Sequence, residues 1–204
     1  MDKIKIVWLS SYPLPRIPSI NWAFKRSGSW HPCSWIINLA NAITQYPEVD
    51  LHIVTLCPWV KKDQTVVLPE GYTVHVMKSS PPFIHRGWPA WFPLDLVTAF
   101  WSDRRKLLHK IKELSPDIVH GHGTETASGW AAVESGFPSV ISMQAILSVL
   151  SKVIPSYSFR RRAVLERRAF KKARFFMGRT HYDIGFVRSI NPSAKIFDLP
   201  EAIN

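Results

Sequence analysis

Two histidines two residues apart, His120 and His122, stand in the run Asp117-Ile-Val-His-Gly-His-Gly-Thr-Glu125. On a strand such a pair shares one face. Imidazoles there could ligate a metal or hydrogen-bond a hydroxyl. No third ligand at a recognisable spacing accompanies them, so no metal is expected. His120, inside the strand, reads as a packed residue. His122, at the end of the strand, reads as the ligand-facing one and as the catalytic candidate. Three further groups have types suited to a site. Ser27-Gly28-Ser29 lies ahead of a helix start, where a small residue admits close backbone approach and the helix N-terminus attracts anions. Ser142-Met-Gln144 is polar at a strand end, and Gly178-Arg179-Thr180 follows another short strand. With Glu125, the residues Gly28, Ser29, Gln144, Arg179 and Thr180 make the acceptor- or phosphate-binding candidates.

A different chemistry is written between Tyr157 and Arg179. Nine cations, among them Arg160, Arg161, Arg162, Arg167, Arg168, Lys171 and Lys172, face one acid, Glu166. Much of the chain's formal charge of +11 therefore sits in one stretch. A basic helix of this kind suits an anionic partner such as a membrane surface or an acidic glycan. The bland alternative is a solvated helix whose arginine stems cover apolar surface. No nucleic-acid-binding motif accompanies the run, so nucleic acid is not an expected partner.

The elements that must position these groups alternate along the chain. Strands are expected at Lys3–Leu9, Asp50–Leu56, Thr65–Leu68, Tyr72–Met77, Asp117–His122, Ser139–Met143 and Arg174–Gly178. Helices are expected from Ser34 as N-cap to Pro47, as one long amphipathic helix over Leu94–Leu114, over Thr124–Ser135, through the basic stretch, and over His181–Ile190. Alternating strands and helices imply an α/β fold, a Rossmann-like parallel sheet with helices on both faces. Ligands of such sheets sit at the carboxyl ends of the strands. That places function just after Leu9, His122, Met143 and Gly178.

Length and composition agree. The chain has 204 residues, 46% hydrophobic and 20% charged, which is globular rather than disordered. No run of 18 apolar residues is present. The opening residues lack a cleavage site for a secretory signal, and Cys33 and Cys57 form no CxxC pair. A cytoplasmic chain, peripheral on the inner face of the membrane where the basic helix meets it, is the resulting expectation.

Together these motifs resemble the N-terminal, acceptor-binding half of a family 4 glycosyltransferase of GT-B architecture. The likeness runs from Lys3 to Asn204. Its more specific pieces are the D-h-h-H-x-H strand, matched by Asp117–His122, and the G-R-T-h-x-D element, matched by Gly178–Asp183. The small-residue helix and G-h-P turn look like TASGWAAVESGFP, and the E-R helix looks like Glu166-Arg167 through Ala173. The chain departs from the pattern where only Gly28 stands in the glycine loop and where Gln144 replaces a histidine. The resemblance implies a single GT-B half over 1–204, without the donor-binding domain, and a retaining hexosyl transfer from a nucleotide sugar to an acceptor hydroxyl in polysaccharide or glycolipid biosynthesis. It implies no cofactor, and a nucleotide-sugar donor only with a C-terminal domain. The chain would then be a subunit needing a separate donor domain, or part of a truncated enzyme, inactive alone. By resemblance His122 lies near the transferred sugar, and Arg179 and Thr180 line the interdomain cleft. The alternative is a non-catalytic domain that binds an anionic membrane, glycan or protein partner.

Overall fold

The computed structural model describes residues 3–20, 33–79 and 92–199. Eight strands form one sheet in the order β3-β4-β2-β1-β5-β6-β7-β8. They are β1 (Ile4–Leu9), β2 (Val49–Cys57), β3 (Gln64–Val67), β4 (Thr73–Lys78), β5 (Ile118–His122), β6 (Ser139–Ser142), β7 (Phe175–Gly178) and β8 (Lys195–Asp198). All neighbours are parallel except β3, which runs antiparallel to β4 at the edge. The order reverses between β1 and β5, where the chain moves out to one side through β2 and β4 and then to the other. Such a switch point opens a crevice at the strand C-termini.

Alternation in β1 sends Ile6 and Trp8 to one face and Val7 and Leu9 to the other. Trp8 packs with Ile36, Ile37 and Ala40 of α1 (Ser34–Ile43), with Leu51 and Ile53 of β2, and with the turn residues Leu14, Ile17 and Ile20. On the opposite face Val7 and Leu9 pack with α2 (Leu94–Val97), α3 (Trp101–Leu114), α4 (Ala127–Glu134) and part of α6 (Tyr157–Lys172). Farther along that face Ile141 and Phe176 bury against Phe170 of α6 and Val187 of α7 (His181–Ile190). Helices therefore lie on both faces of a largely parallel sheet, as such a sheet requires.

The helix expected over Thr124–Ser135 begins only at Ala127, which leaves Glu125 in the loop before it, and three larger differences separate the structure from the sequence reading. The single helix expected over Leu94–Leu114 is two, because Ala99 and Phe100 adopt φ of +51° and +58°. The break turns the Phe100 ring into the core beside Leu96 and Leu107. The cap of α1 is Cys33, in a left-handed conformation, and Ser34 is its first helical residue. A separate helix, α5 (Leu147–Val153), precedes the basic helix. Pro155, between them, is the signal that separates the two.

Close approach of α4 to β5 depends on glycines. A Cβ at Gly121 would lie 2.8 Å from the Ala132 Cβ, and one at Gly129 would lie 2.8 Å from the Gly123 carbonyl oxygen. Tight seating of α4 fixes the loop Gly123–Thr126 directly beyond β5. At the other end of that strand the Asp117 carboxylate accepts the Lys5 backbone N–H at 2.8 Å, tying β5 to β1.

Candidate functional site

Four of the expected residues gather at the C-terminal ends of β5, β6 and β7. His122 closes β5. Beyond it Gly123, at φ +76°, turns the chain so that the Glu125 carboxyl folds back over the glycine, beside the Gln144 side chain. The Arg179 guanidinium donates to the Gln144 carbonyl oxygen. Burial raises the Glu125 carboxyl above the ordinary carboxylate range, and the nearby Glu166 charge reinforces it against the opposing pull of its own backbone N–H and of Arg162. Thr180 is the N-cap of α7, accepting from the Asp183 N–H at 3.1 Å. Asp183 reaches back to the Arg179 N–H at 3.3 Å, in the manner of a capping box. Gly28 and Ser29 lie outside the described residues.

The two histidines share a face, with Trp8 between them and the core. Trp8 stacks on His120 with ring centroids 5.0 Å apart and planes 4° apart, and meets His122 edge-on at 5.5 Å. Ser142 of β6 joins them: its Oγ lies 2.8 Å from His120 Nε2 and 3.0 Å from His122 Nδ1. The half-buried Trp35, from the first turn of α1, donates its indole N–H to His122 Nε2 at 3.3 Å. His120 is buried, and burial, with His122 beside it, depresses its basicity to about 3. Trp8 Nε1 is buried too and has no hydrogen-bond partner among the described residues.

The cations of the basic helix have two roles. Arg161 donates to the carbonyls of Leu96 and Val97, both at 3.4 Å, at the negative end of α2. Arg162 donates to the Glu125 carbonyl at 2.9 Å, Arg167 to Ser148 Oγ at 3.2 Å, and Lys172 lies over the Trp130 ring and 3.7 Å from Glu134. Arg161 thus braces α2. On the apolar side of the helix Ala163, Leu165, Ala169 and Phe170 are buried, while Phe159 is half-buried. Arg160, Arg168 and Lys171 are exposed, at spacings that align them on one side, with Val164 among them.

Glu166 is legible in the sequence only as part of a helix pattern, and its position is central. It is completely buried and accepts from the backbone N–H groups of Leu147 and Ser148, both at 2.9 Å, and from Thr124 Oγ1 at 3.2 Å. A carboxylate thereby satisfies the open N-terminus of α5 and pins the loop after β5 to α6. Sequence reasoning also missed a cleft on the other side of the switch point. Ser10, Ser11, Asp95, Phe100, Asp103, Thr126 and Ser128 line it, where β1 and β2 end. Ser10 and Ser11 follow Leu9 directly, so the strand-end rule located that part of it.

No protein-family model and no curated protein matches the sequence. Solved structures do match. Sucrose-phosphate synthase from Thermosynechococcus elongatus superposes with a TM-score of 0.69 at 10% identity, over 99% of this chain and 49% of its own. The chain has the Rossmann-like fold of one GT-B half-domain. Phytolacca americana UGT2, complexed with UDP-2fluoro-glucose and pterostilbene, gives 0.60 at 11% identity over all of this chain and 55% of that one. A putative UDP-N-acetylglucosamine 2-epimerase from Listeria monocytogenes gives 0.57 at 16% identity, over 97% and 45%. The chain spans about half the length of these neighbours. Transferases and an epimerase share the half-domain, so the fold alone does not choose the reaction. Among the described residues no helix is long and apolar enough to cross a membrane.

Proposed function

We propose that this chain is the acceptor-binding half of a glycosyltransferase similar to family 4, with the donor-binding half supplied beyond residues 1–204 or by another polypeptide. The observation that carries the reading is His122, a half-buried imidazole at the C-terminal end of β5 beside the switch point, on the same sheet edge as Glu125, Gln144 and Arg179. In the full enzyme a hexosyl group would pass from a nucleotide sugar to an acceptor hydroxyl with retention. This half contributes position: an imidazole lone pair for a sugar hydroxyl, and a carboxyl at Glu125 whose hold on a proton burial strengthens. Stabilisation of the departing diphosphate belongs to the other half.

Binding to a glycan and glycolipid array, alongside incubation with labelled nucleotide sugars, tests this. The chain alone is expected to retain acceptor glycans and to turn over no nucleotide sugar. His122→Ala is expected to weaken glycan retention about tenfold, the scale of a lost charge-free hydrogen bond in a desolvated site, with a cooperative melting transition retained. Turnover by the pure chain, or retention indifferent to His122→Ala, overturns the reading.

A second role is favoured by the exposed side of α6. We infer that Arg160, Arg168 and Lys171, with Val164, meet an anionic membrane, each cation contributing about 1 kcal/mol near the surface. Co-sedimentation with vesicles containing phosphatidylserine should fall with salt and when these three become Glu. The other cations are unsuitable for that test, because Arg161, Arg162 and Arg167 brace neighbouring elements. A chain that stays in the supernatant at low salt contradicts it.

A further inference from the structure

We propose that Trp35 is the positioning residue of this site: its indole N–H stands in for a ligand hydroxyl on His122 and sets the direction of every hydrogen bond behind it. The ligand chemistry follows. What displaces Trp35 from His122 is a hydrogen-bond-donating hydroxyl, not a phosphate or carboxylate oxygen. This ligand assignment rests on the reading of His122 as the ligand-facing residue; the direction of the relay does not.

An indole nitrogen only donates. His122 Nε2, 3.3 Å away, must therefore present its lone pair. A neutral imidazole carries one hydrogen, so it is on Nδ1, and it is donated to Ser142 Oγ at 3.0 Å. The Ser142 hydroxyl hydrogen then has one way to go, to His120 Nε2 at 2.8 Å. His120 in turn holds its hydrogen on Nδ1. The chain Trp35 → His122 → Ser142 → His120 runs in one sense from end to end. Reversing the His122–Ser142 bond sets a second hydrogen against the indole N–H, and reversing the Ser142–His120 bond makes Ser142 accept from both rings and leaves its buried hydroxyl hydrogen with no acceptor among the described residues. Protonating His122 at Nε2 sets a hydrogen against the indole N–H, while the neighbouring His120 is held neutral by its burial. An anionic ligand needs that extra proton; a hydroxyl needs only the lone pair that the indole already occupies. Because the indole and the ligand compete for one lone pair, apparent affinity is reduced by the fraction of time that Trp35 is seated.

The test is a long-range proton–nitrogen correlation of the histidine rings in the 15N-labelled chain at pH 7. His122 and His120 are both expected as Nδ1–H tautomers. Trp35→Phe, checked for folding by its melting curve, is expected to move His122 toward the Nε2–H tautomer. If that variant does not fold, Ser142→Ala serves: His122 should keep Nδ1–H while His120 is released to the other tautomer. His122 found as Nε2–H or charged in the unsubstituted chain, or unmoved in Trp35→Phe, overturns the proposal. Titration with methyl α-D-glucoside and, separately, with inorganic phosphate tests the ligand class. The glucoside should shift the Trp35 indole and His122 resonances, and bind about 2- to 10-fold tighter to Trp35→Phe, the range of one net hydrogen bond. A shift with phosphate overturns the ligand class. Silence from both ligands with the tautomers as expected overturns His122 as the ligand-facing residue and leaves the directed relay standing.

Discussion

The sheet holds two histidine pairs, and they differ in what ends them. His120 and His122 are joined through Ser142 and end on Trp35, a donor. His52 of β2 and His75 of β4 are joined directly at 3.0 Å, stacked with planes 21° apart. That pair ends on Asp50, an acceptor 3.2 Å from His52 Nε2, and on Thr65 Oγ1, 3.1 Å from His75 Nδ1. With neutral rings, hydrogens run from Thr65 through His75 and His52 to Asp50. The directions are set by the terminal groups, because imidazole itself serves either way. Position differs as well. His122 is the last residue of β5, whereas Asp50 and His52 lie near the start of β2, away from the strand ends where ligands bind. A histidine pair in a sheet is thus a structural relay by default. It becomes a candidate site when its end reaches the C-terminal edge and holds a group that a ligand can replace.

The two pairs should part most widely in stability. His120→Ala removes a ring stacked on Trp8 and leaves Ser142 facing a cavity, and should cost about 3 kcal/mol in urea unfolding. His52→Ala, at a half-buried position, should cost about 1 kcal/mol. Equal costs would erase the distinction between them.

Acid gives a second contrast. Burial first, then the charges of His52 and Lys110 against that of Glu113, depress His75 to about 4; burial and His122 depress His120 to about 3. For each, the unfolded chain binds the proton near pH 6.5 and the folded chain only near the lower value. Between those values the unfolded state holds more protons, so stability is full above about pH 6.5 and falls as the pH drops. The melting temperature is expected to decline from about pH 6.5 toward 4, with the His120 share still being lost down to about 3. His75→Gln should flatten the upper part of the decline and leave the lower part. A melting temperature independent of pH over this range would contradict the depressed basicity of His75 and His120.

The smallest effect is at the acceptor end. Asp50 is 40% exposed in its side chain, so its tie to His52 is screened by solvent. Asp50→Asn keeps an acceptor oxygen and should change stability by less than about 0.5 kcal/mol, measured by the same unfolding curves. A loss above about 1 kcal/mol would mean that the carboxylate charge, rather than the hydrogen bond, holds this pair.

Much of this architecture could be read from local pattern. The alternation of short apolar runs with amphipathic stretches implied the parallel sheet, and the placement of His122 after a β-rich run put it at the ligand edge. What escaped depended on contacts between distant residues. The indole of Trp35 is 87 positions from His122, and a helix pattern registers it only as an apolar residue. Glu166 reads as one acid in a basic helix until α5 folds back and offers it two backbone N–H groups. The break at Ala99-Phe100 is invisible to periodicity because both residues suit a helix; the core beneath claims the Phe100 ring. Pairing of His52 with His75 needs the register of β2 on β4, which no single strand contains.

The most direct measurement is a crystal structure of the chain soaked with a neutral glycoside. One sugar hydroxyl is expected within hydrogen-bond distance of His122 Nε2, with the Trp35 indole swung off that nitrogen and the Ser142–His120 bond unchanged. A glycoside bound elsewhere, for instance in the Asp95–Asp103 cleft, with the Trp35–His122 hydrogen bond intact, would contradict His122 as the ligand-facing residue.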